Sequence, residues 1–176
     1  MNIPETYDYL MCARRDLWAT LEGVPDEVLS SPLIGGPRFQ CIKDLIFHIA
    51  GVEDGWLHHT ILRGEPVQVG TPVIKDIQEG PFCAEIPLGT LLDYWRAVEQ
   101  STLKYLVALT ETELDRLVDD SPTDRFRLDG ILWHVMIHEM RHTAQIALLL
   151  RMQGIQPPGL DLFYYLQNHH VGERSG

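Results

Sequence analysis

Apolar residues recur at three- and four-residue intervals in four segments of the chain, the spacing of helices that bury one face. Tyr7, Leu10, Met11, Leu17, Trp18 and Leu21 make the first stripe, with Pro4 in a tolerated first-turn place and Gly23 past the end. The second segment runs from about Cys41 to Leu62 and stops at Gly64. The third starts near Thr90, where Thr90 and Asp93 have capping-box spacing, and carries Leu91, Trp95, Val98, Thr102, Leu106 and Leu109 on one side. The fourth begins after Asp129, an expected N-cap, and ends before Gly154, with Pro157 and Pro158 beyond.

The links between these segments are uneven. Residues 22 to 39 hold Pro25, Pro32, Gly35, Gly36 and Pro37, so they read as loop with one helical turn at Asp26 to Leu29. Residues 64 to 87 hold Pro66, Gly70, Pro72, Gly80, Pro81 and Pro87, a long crossover that lets the second and third helices lie parallel. No stretch alternates cleanly enough for a sheet. The pattern predicts an all-α chain, a four-helix bundle with long crossover connections forming a single domain over residues 1–176.

Charge narrows the partners. The chain has 14 Lys+Arg against 25 Asp+Glu, a formal net charge of -11. That balance argues against nucleic acid and against an anionic membrane surface, both of which reward basic side chains. Cys12, Cys41 and Cys83 are odd in number and far apart, so neither a disulfide framework nor a zinc knuckle is expected and a reducing cytoplasm fits. The longest apolar run, Ile146 to Leu150, is too short to span a bilayer, and the opening with Glu5 and Asp8 does not read as a secretory signal.

The chemistry-bearing residues are histidines. On the fourth segment His134, His138 and His142 fall at about −40°, 0° and +40° on a helical wheel, among Ile131, Val135, Ile146 and Leu149. All three are expected to point inward. On the second segment His48 shares its arc with Cys41, Leu45, Val52 and Trp56, Gly55 leaves room beside the ring, and Asp44 lies one turn away as an expected acceptor for its second nitrogen. An unpaired buried polar group costs on the order of 1–3 kcal/mol, and a shared cation compensates several imidazoles at once. Two histidines four residues apart plus one from a facing helix supply three nitrogen ligands, leaving a divalent ion with open positions for water or substrate. Spacing alone leaves His134/His138 and His138/His142 both open as the pair. Zinc, nickel, iron, manganese and copper all suit such a site. His58, His59, His169 and His170 lie near element ends and are expected in solvent.

The segment Phe39-Gln40-Cys41-Ile42-Lys43-Asp44-Leu45-Ile46-Phe47-His48, its continuation through Trp56 and Leu62-Arg63-Gly64, the stretch from Leu132-Trp133-His134 to Gln145-Ile146, and Pro157-Pro158-Gly159-Leu160-Asp161 together carry a resemblance. The chain resembles the DinB/YfiT-like family of metal-dependent helical bundles over nearly its whole length. The resemblance implies a metal triad of His48, His138 and His142, with His134 at a frequent non-ligand position, and a homodimer. It further implies a transferase or isomerase reaction on a small-molecule substrate with a low-molecular-weight thiol as cosubstrate. Thr143-Ala144 departs from the Arg-Gly that the family usually carries there.

Other readings compete for the same residues. His138-Glu139-Met140-Arg141-His142 is a literal His-Glu-x-x-His, the zinc-protease pattern, with Glu139 as general base and Asp161 in range as a third ligand. It lacks the sheet edge and the metzincin continuation that would support it. Glu139 is otherwise a candidate base at the rim of a metal-dependent transferase or hydrolase centre for a small molecule, or a solvated residue in a helix salt bridge. A non-catalytic metal-binding or stress-related bundle is the remaining class, and a fourth protein ligand would mark it.

Overall fold

Asn2 accepts a hydrogen bond from the Glu5 amide at 3.0 Å, and Glu5 returns one from the Asn2 amide at 3.0 Å, closing a capping box that starts α1 (Ile3–Glu22). The computed structural model describes residues 1–77 and 83–169; Gly80, Pro81 and His170 fall outside it, as does the side chain of His169. A short α2 (Asp26–Ser30) follows. Next, α3 (Ile42–Asp54) passes without a break into a π-helical stretch, Gly55–Ile61. After a 3-10 turn (Val67–Gly70) and the crossover come α4 (Leu88–Ala108), a second 3-10 turn (Glu111–Asp115), a hairpin of β1 (Leu117–Asp119) and β2 (Arg125–Arg127), α5 (Leu128–Met152) and α6 (Leu162–His169).

Four helices, α1, α3, α4 and α5, make the bundle. Each of α3 and α1 packs against both α4 and α5, so the helices form a ring in which α1 and α3 stand diagonally. One apolar cluster joins Leu17 and Leu21 of α1 to Leu45 and Ile46 of α3, Leu91 and Trp95 of α4, and Ile146 and Leu150 of α5. A second joins Ile3 and Tyr7 to Ile61, Leu106, Ile131 and Met136. The first cluster therefore holds the N-terminal halves of α3 and α4 with the C-terminal halves of α1 and α5. Hence α3 and α4 run parallel, as the long crossover between them permits.

Between the clusters lies a layer of buried charge. Arg14, 1% exposed, gives its guanidinium to Glu53 of α3 at 2.8 Å, Glu99 of α4 at 3.1 Å and Glu139 of α5 at 2.6 Å. Tyr7 and Thr102 donate to Glu53 at 2.5 and 2.7 Å, and Arg15 reaches Glu99 from the surface. One residue from each bundle helix thus meets at a single level. Charge buried in this way requires every acceptor to be filled, which the four donor residues Arg14, Tyr7, Thr102 and Arg15 accomplish.

Several local expectations are corrected. Pro87 is the N-cap and α4 begins at Leu88, two residues ahead of Thr90, so Thr90 and Asp93 both lie within the helix and Asp93 pairs with Arg96 at 2.9 Å instead. Likewise Arg127 precedes α5 and Asp129 lies within its first turn, accepting from Arg127 at 2.8 and 3.0 Å. A sheet does exist: β1 (Leu117–Asp119) and β2 (Arg125–Arg127) pair antiparallel, Val118 opposite Phe126. Strands of three residues with only Val118 buried leave no alternation to read. The terminal α6 had no sequence forecast; it is tied back by Tyr165 donating to Asp8 and by Tyr9 donating to the Leu160 carbonyl, each at 2.5 Å.

Candidate metal centre

His48 projects from α3 and His138 and His142 from α5, and the three offer one ring nitrogen each within 4.8 Å of one another. The Nε2 atoms of His48 and His138 are 2.9 Å apart. A tetrahedral ion with bonds of 2.0–2.1 Å sets its nitrogens about 3.3 Å apart. The triad brackets that separation, so small ring movements suffice to seat a cation.

The rings are also in the right protonation state. Burial foremost, then the neighbouring His142 and the Arg38 and Arg141 guanidiniums, pushes the His48 pKa down to about 4. Burial, again with His142 and His48, pushes His138 down to about 3. Burial lowers His142 as well, opposed by a hydrogen bond in which its Nδ1 lies 2.6 Å from Gln145 Oε1. With the proton on Nδ1, that contact fixes the tautomer and leaves Nε2 as the donor atom. Neutral imidazoles with free lone pairs are what a divalent cation takes up.

His134 does not join them. It is exposed, its ring 5.9 Å from that of His138 and 5.6 Å from Trp56. At the −40° edge of the arc, the inward stripe has already turned away toward solvent. Asp44 does not serve His48 either. As the third residue of α3 it turns back to the helix start, accepting from the Gln40 and Cys41 amides at 2.9 and 3.2 Å, and from Cys83 at 2.5 Å across the crossover. His58 is not in solvent: its Nδ1 lies 2.7 Å from the buried Asp54 carboxylate, while His59 is exposed as expected.

Glu139 is the largest correction. It is 3% exposed, and both its oxygens take Arg14 N–H groups at 2.6 Å. Burial foremost, with the Glu53 and Glu99 charges, raises its pKa while Arg14 opposes. It is neither a solvated surface charge nor a base at the mouth. Asp161 caps α6 through the Phe163 amide at 2.9 Å. The protease reading therefore finds its general base and its third ligand both engaged elsewhere.

Sequence reasoning missed Gln145 and Arg14 as contributors. Gln145 stands three residues beyond His142, within reach on a helix surface. Arg14 shares its stripe with Leu10, Leu17 and Leu21, a charged residue in core register that carried the signal.

Beside His48, a groove of about 350 Å³ runs along α3 and the π-helical stretch beneath the crossover. Phe39 closes its end, stacked 4.3 Å from the His48 ring and held at φ 54, a left-handed conformation that bulky residues rarely adopt. Asp54 pins the near end of the crossover by accepting from the Val67 and Gln68 amides at 3.0 and 2.9 Å.

A ring of four helices with long crossovers and a core-facing histidine triad from two of them defines a helical bundle with a candidate metal centre. The chain belongs to the DinB family, whose model matches residues 1–174. Among solved structures it is similar to a conserved protein from Enterococcus faecalis, with a TM-score of 0.65, 17% identity, and coverage of 86% of this chain and 96% of that one. It is also similar to DinB-like proteins from Bacillus cereus ATCC 10987 (TM-score 0.59, 18% identity, 89% and 94% covered) and Bacillus subtilis (0.57, 18%, 89% and 98%). At such identities the likeness concerns the fold. No curated protein matches the chain.

Proposed function

We propose that His48, His138 and His142 hold one divalent cation and that the centre serves a transfer reaction on a small molecule, with a low-molecular-weight thiol, or water, as nucleophile. The observation that carries this reading is the convergence of three neutral imidazoles from α3 and α5, with no fourth His, Cys, Asp or Glu joining the group among the described residues. Structural zinc sites are closed by four protein ligands, whereas catalytic ones leave a position open. A bound cation supplies Lewis-acid activation of the nucleophile.

The chain's own residues supply the rest. Gln145 sets the His142 tautomer, Phe39 packs over His48, and the groove brings a small molecule alongside His48. In the transfer the nucleophile's sulfur or oxygen bonds to an electrophilic carbon, its proton passes to solvent, and the leaving group departs with the bonding pair.

The test is elemental analysis of purified protein together with thiol and electrophile screening. Wild type is expected to carry about one ion per chain, and His48→Ala, His138→Ala and His142→Ala each to carry less, while His134→Ala keeps it. Full metal content in all three triad variants overturns the ligand set. Metal-loaded protein with no chelator-sensitive turnover on any thiol or water pairing overturns the transferase reading.

A further inference from the structure

The groove beside His48 carries a statement about what it receives. Its floor is formed by Gly51 and Gly55, one helical turn apart. A Cβ built on Gly55 meets nothing within 4 Å, and one on Gly51 meets only the Tyr94 hydroxyl at 3.9 Å. Gly55 has φ -61 and ψ -49, ordinary helical values, so the backbone does not require glycine there. A glycine inside a helix destabilises it relative to alanine. Here the missing side chains leave a trough.

The walls are aromatic and the charges are absent or occupied. Among the described residues, Phe39, Phe47 and Trp56 line the trough and no Lys or Arg does, and the one carboxylate in the lining, Asp44, already takes three backbone amides. Gln68 donates to the carbonyls of Ile74 and Ile77 at 2.9 and 2.6 Å, and Thr60 donates to Asp120 at 3.2 Å. Along Gly51 and Gly55, away from the triad and from the Arg38 guanidinium over Phe39, an anionic body would find no counter-ion among the described residues, and burying an unpaired charge is strongly unfavourable. The volume is that of a small-ligand site.

We propose that this groove binds the acceptor substrate, an uncharged small molecule with an apolar, ring-bearing body that lies on Gly51 and Gly55 with its reacting end at His48. The inference rests on the triad being the reaction centre, but the binding it describes does not need the metal.

The experiment titrates the chelator-treated full-length protein, which holds no cation to attract an anion, with 2-naphthol, neutral at pH 7, and with naphthalene-2-sulfonate, an anion of similar shape, by calorimetry. Wild type is expected to bind 2-naphthol at least about tenfold more tightly than the sulfonate, since only the anion must shed hydration without a partner. Gly55→Leu, which fills the trough, is expected to lose about tenfold or more of that affinity while keeping its metal content. Should Gly55→Leu fail to fold by circular dichroism, Gly51→Met makes the same test at the other end. Untreated, metal-bearing protein is expected to bind 2-naphthol as the chelator-treated protein does. Equal affinity for the two probes, or undiminished binding in the filled variant, overturns the proposal. Retained 2-naphthol binding without turnover overturns only the transfer reading.

Discussion

Glu139, the residue next to the triad member His138, holds Arg14 through both carboxylate oxygens at 2.6 Å. The same guanidinium reaches Glu53 on α3, the helix that carries His48. Arg14 therefore ties together the two helices that the triad must bring face to face. The charged layer sets the relative level of α3 and α5 from within the core, where apolar contacts alone would allow sliding.

Arg14→Met is expected to destabilise the protein by about 3–5 kcal/mol, because it leaves buried carboxylates without their cation. Arg14→Lys is expected to fall between, keeping the charge but losing the two-pronged contact with Glu139. Urea unfolding followed by circular dichroism measures both. A loss in Arg14→Met no larger than that of an ordinary surface substitution would show that the layer does not hold the bundle.

Gln145 is expected to matter to the centre without touching the cation. Gln145→Leu removes the acceptor that places the His142 proton on Nδ1, and metal affinity is expected to fall about 10–100-fold. Competition against a chelator of known affinity reads this directly. Unaltered affinity would mean that His142 is oriented by packing alone.

The triad makes stability depend on pH in the metal-free protein. His48 and His138 titrate at about 4 and about 3 in the fold, against 6.5 for an unperturbed ring. The unfolded chain thus binds more protons between those values. Stability is present above pH 6.5 and is lost as the pH falls through it toward 4. Tm of chelator-treated protein is expected to drop between pH 7.5 and 5, and to drop less in His138→Ala.

The bundle was legible because helix periodicity and glycine–proline punctuation are local properties. The stripe through Leu10, Leu17 and Leu21 and the stop at Gly64 need no knowledge of the partner helix. The same periodicity put His134, His138 and His142 on one arc but left the pair open, and it was the family resemblance that implied His138 with His142. What local pattern could not show was where each polar group on a stripe finds its partner. Asp44 stood in register with His48 but serves the N-terminus of its own helix, since free amides there attract a carboxylate strongly. Glu139, at 100° from His138, read as solvent-facing, yet α1 brings Arg14 against that side. The β-hairpin was hidden because its strands are short and their outward residues, Leu117 and Phe126, are apolar.

One face of α5 bears on assembly. Ile137, Leu148 and Met152 are 55%, 55% and 65% exposed, and with Ala144 they fall within about 80° of one another on the wheel. An exposed, largely apolar face, with Arg141 inside its arc and His134 at its edge, on a helix otherwise built into the core is the surface that a second copy would cover, in keeping with the homodimer implied by the family resemblance. Light scattering at tens of micromolar is expected to give about twice the 20.1 kDa chain mass. Leu148→Glu places a charge at the centre of the stripe and is expected to shift the mass to that of one chain while leaving helicity and metal content unchanged, because Leu148 is not among the buried residues of α5. A wild-type mass of one chain at that concentration, or a Leu148→Glu protein that still pairs, would exclude this face as the dimer contact.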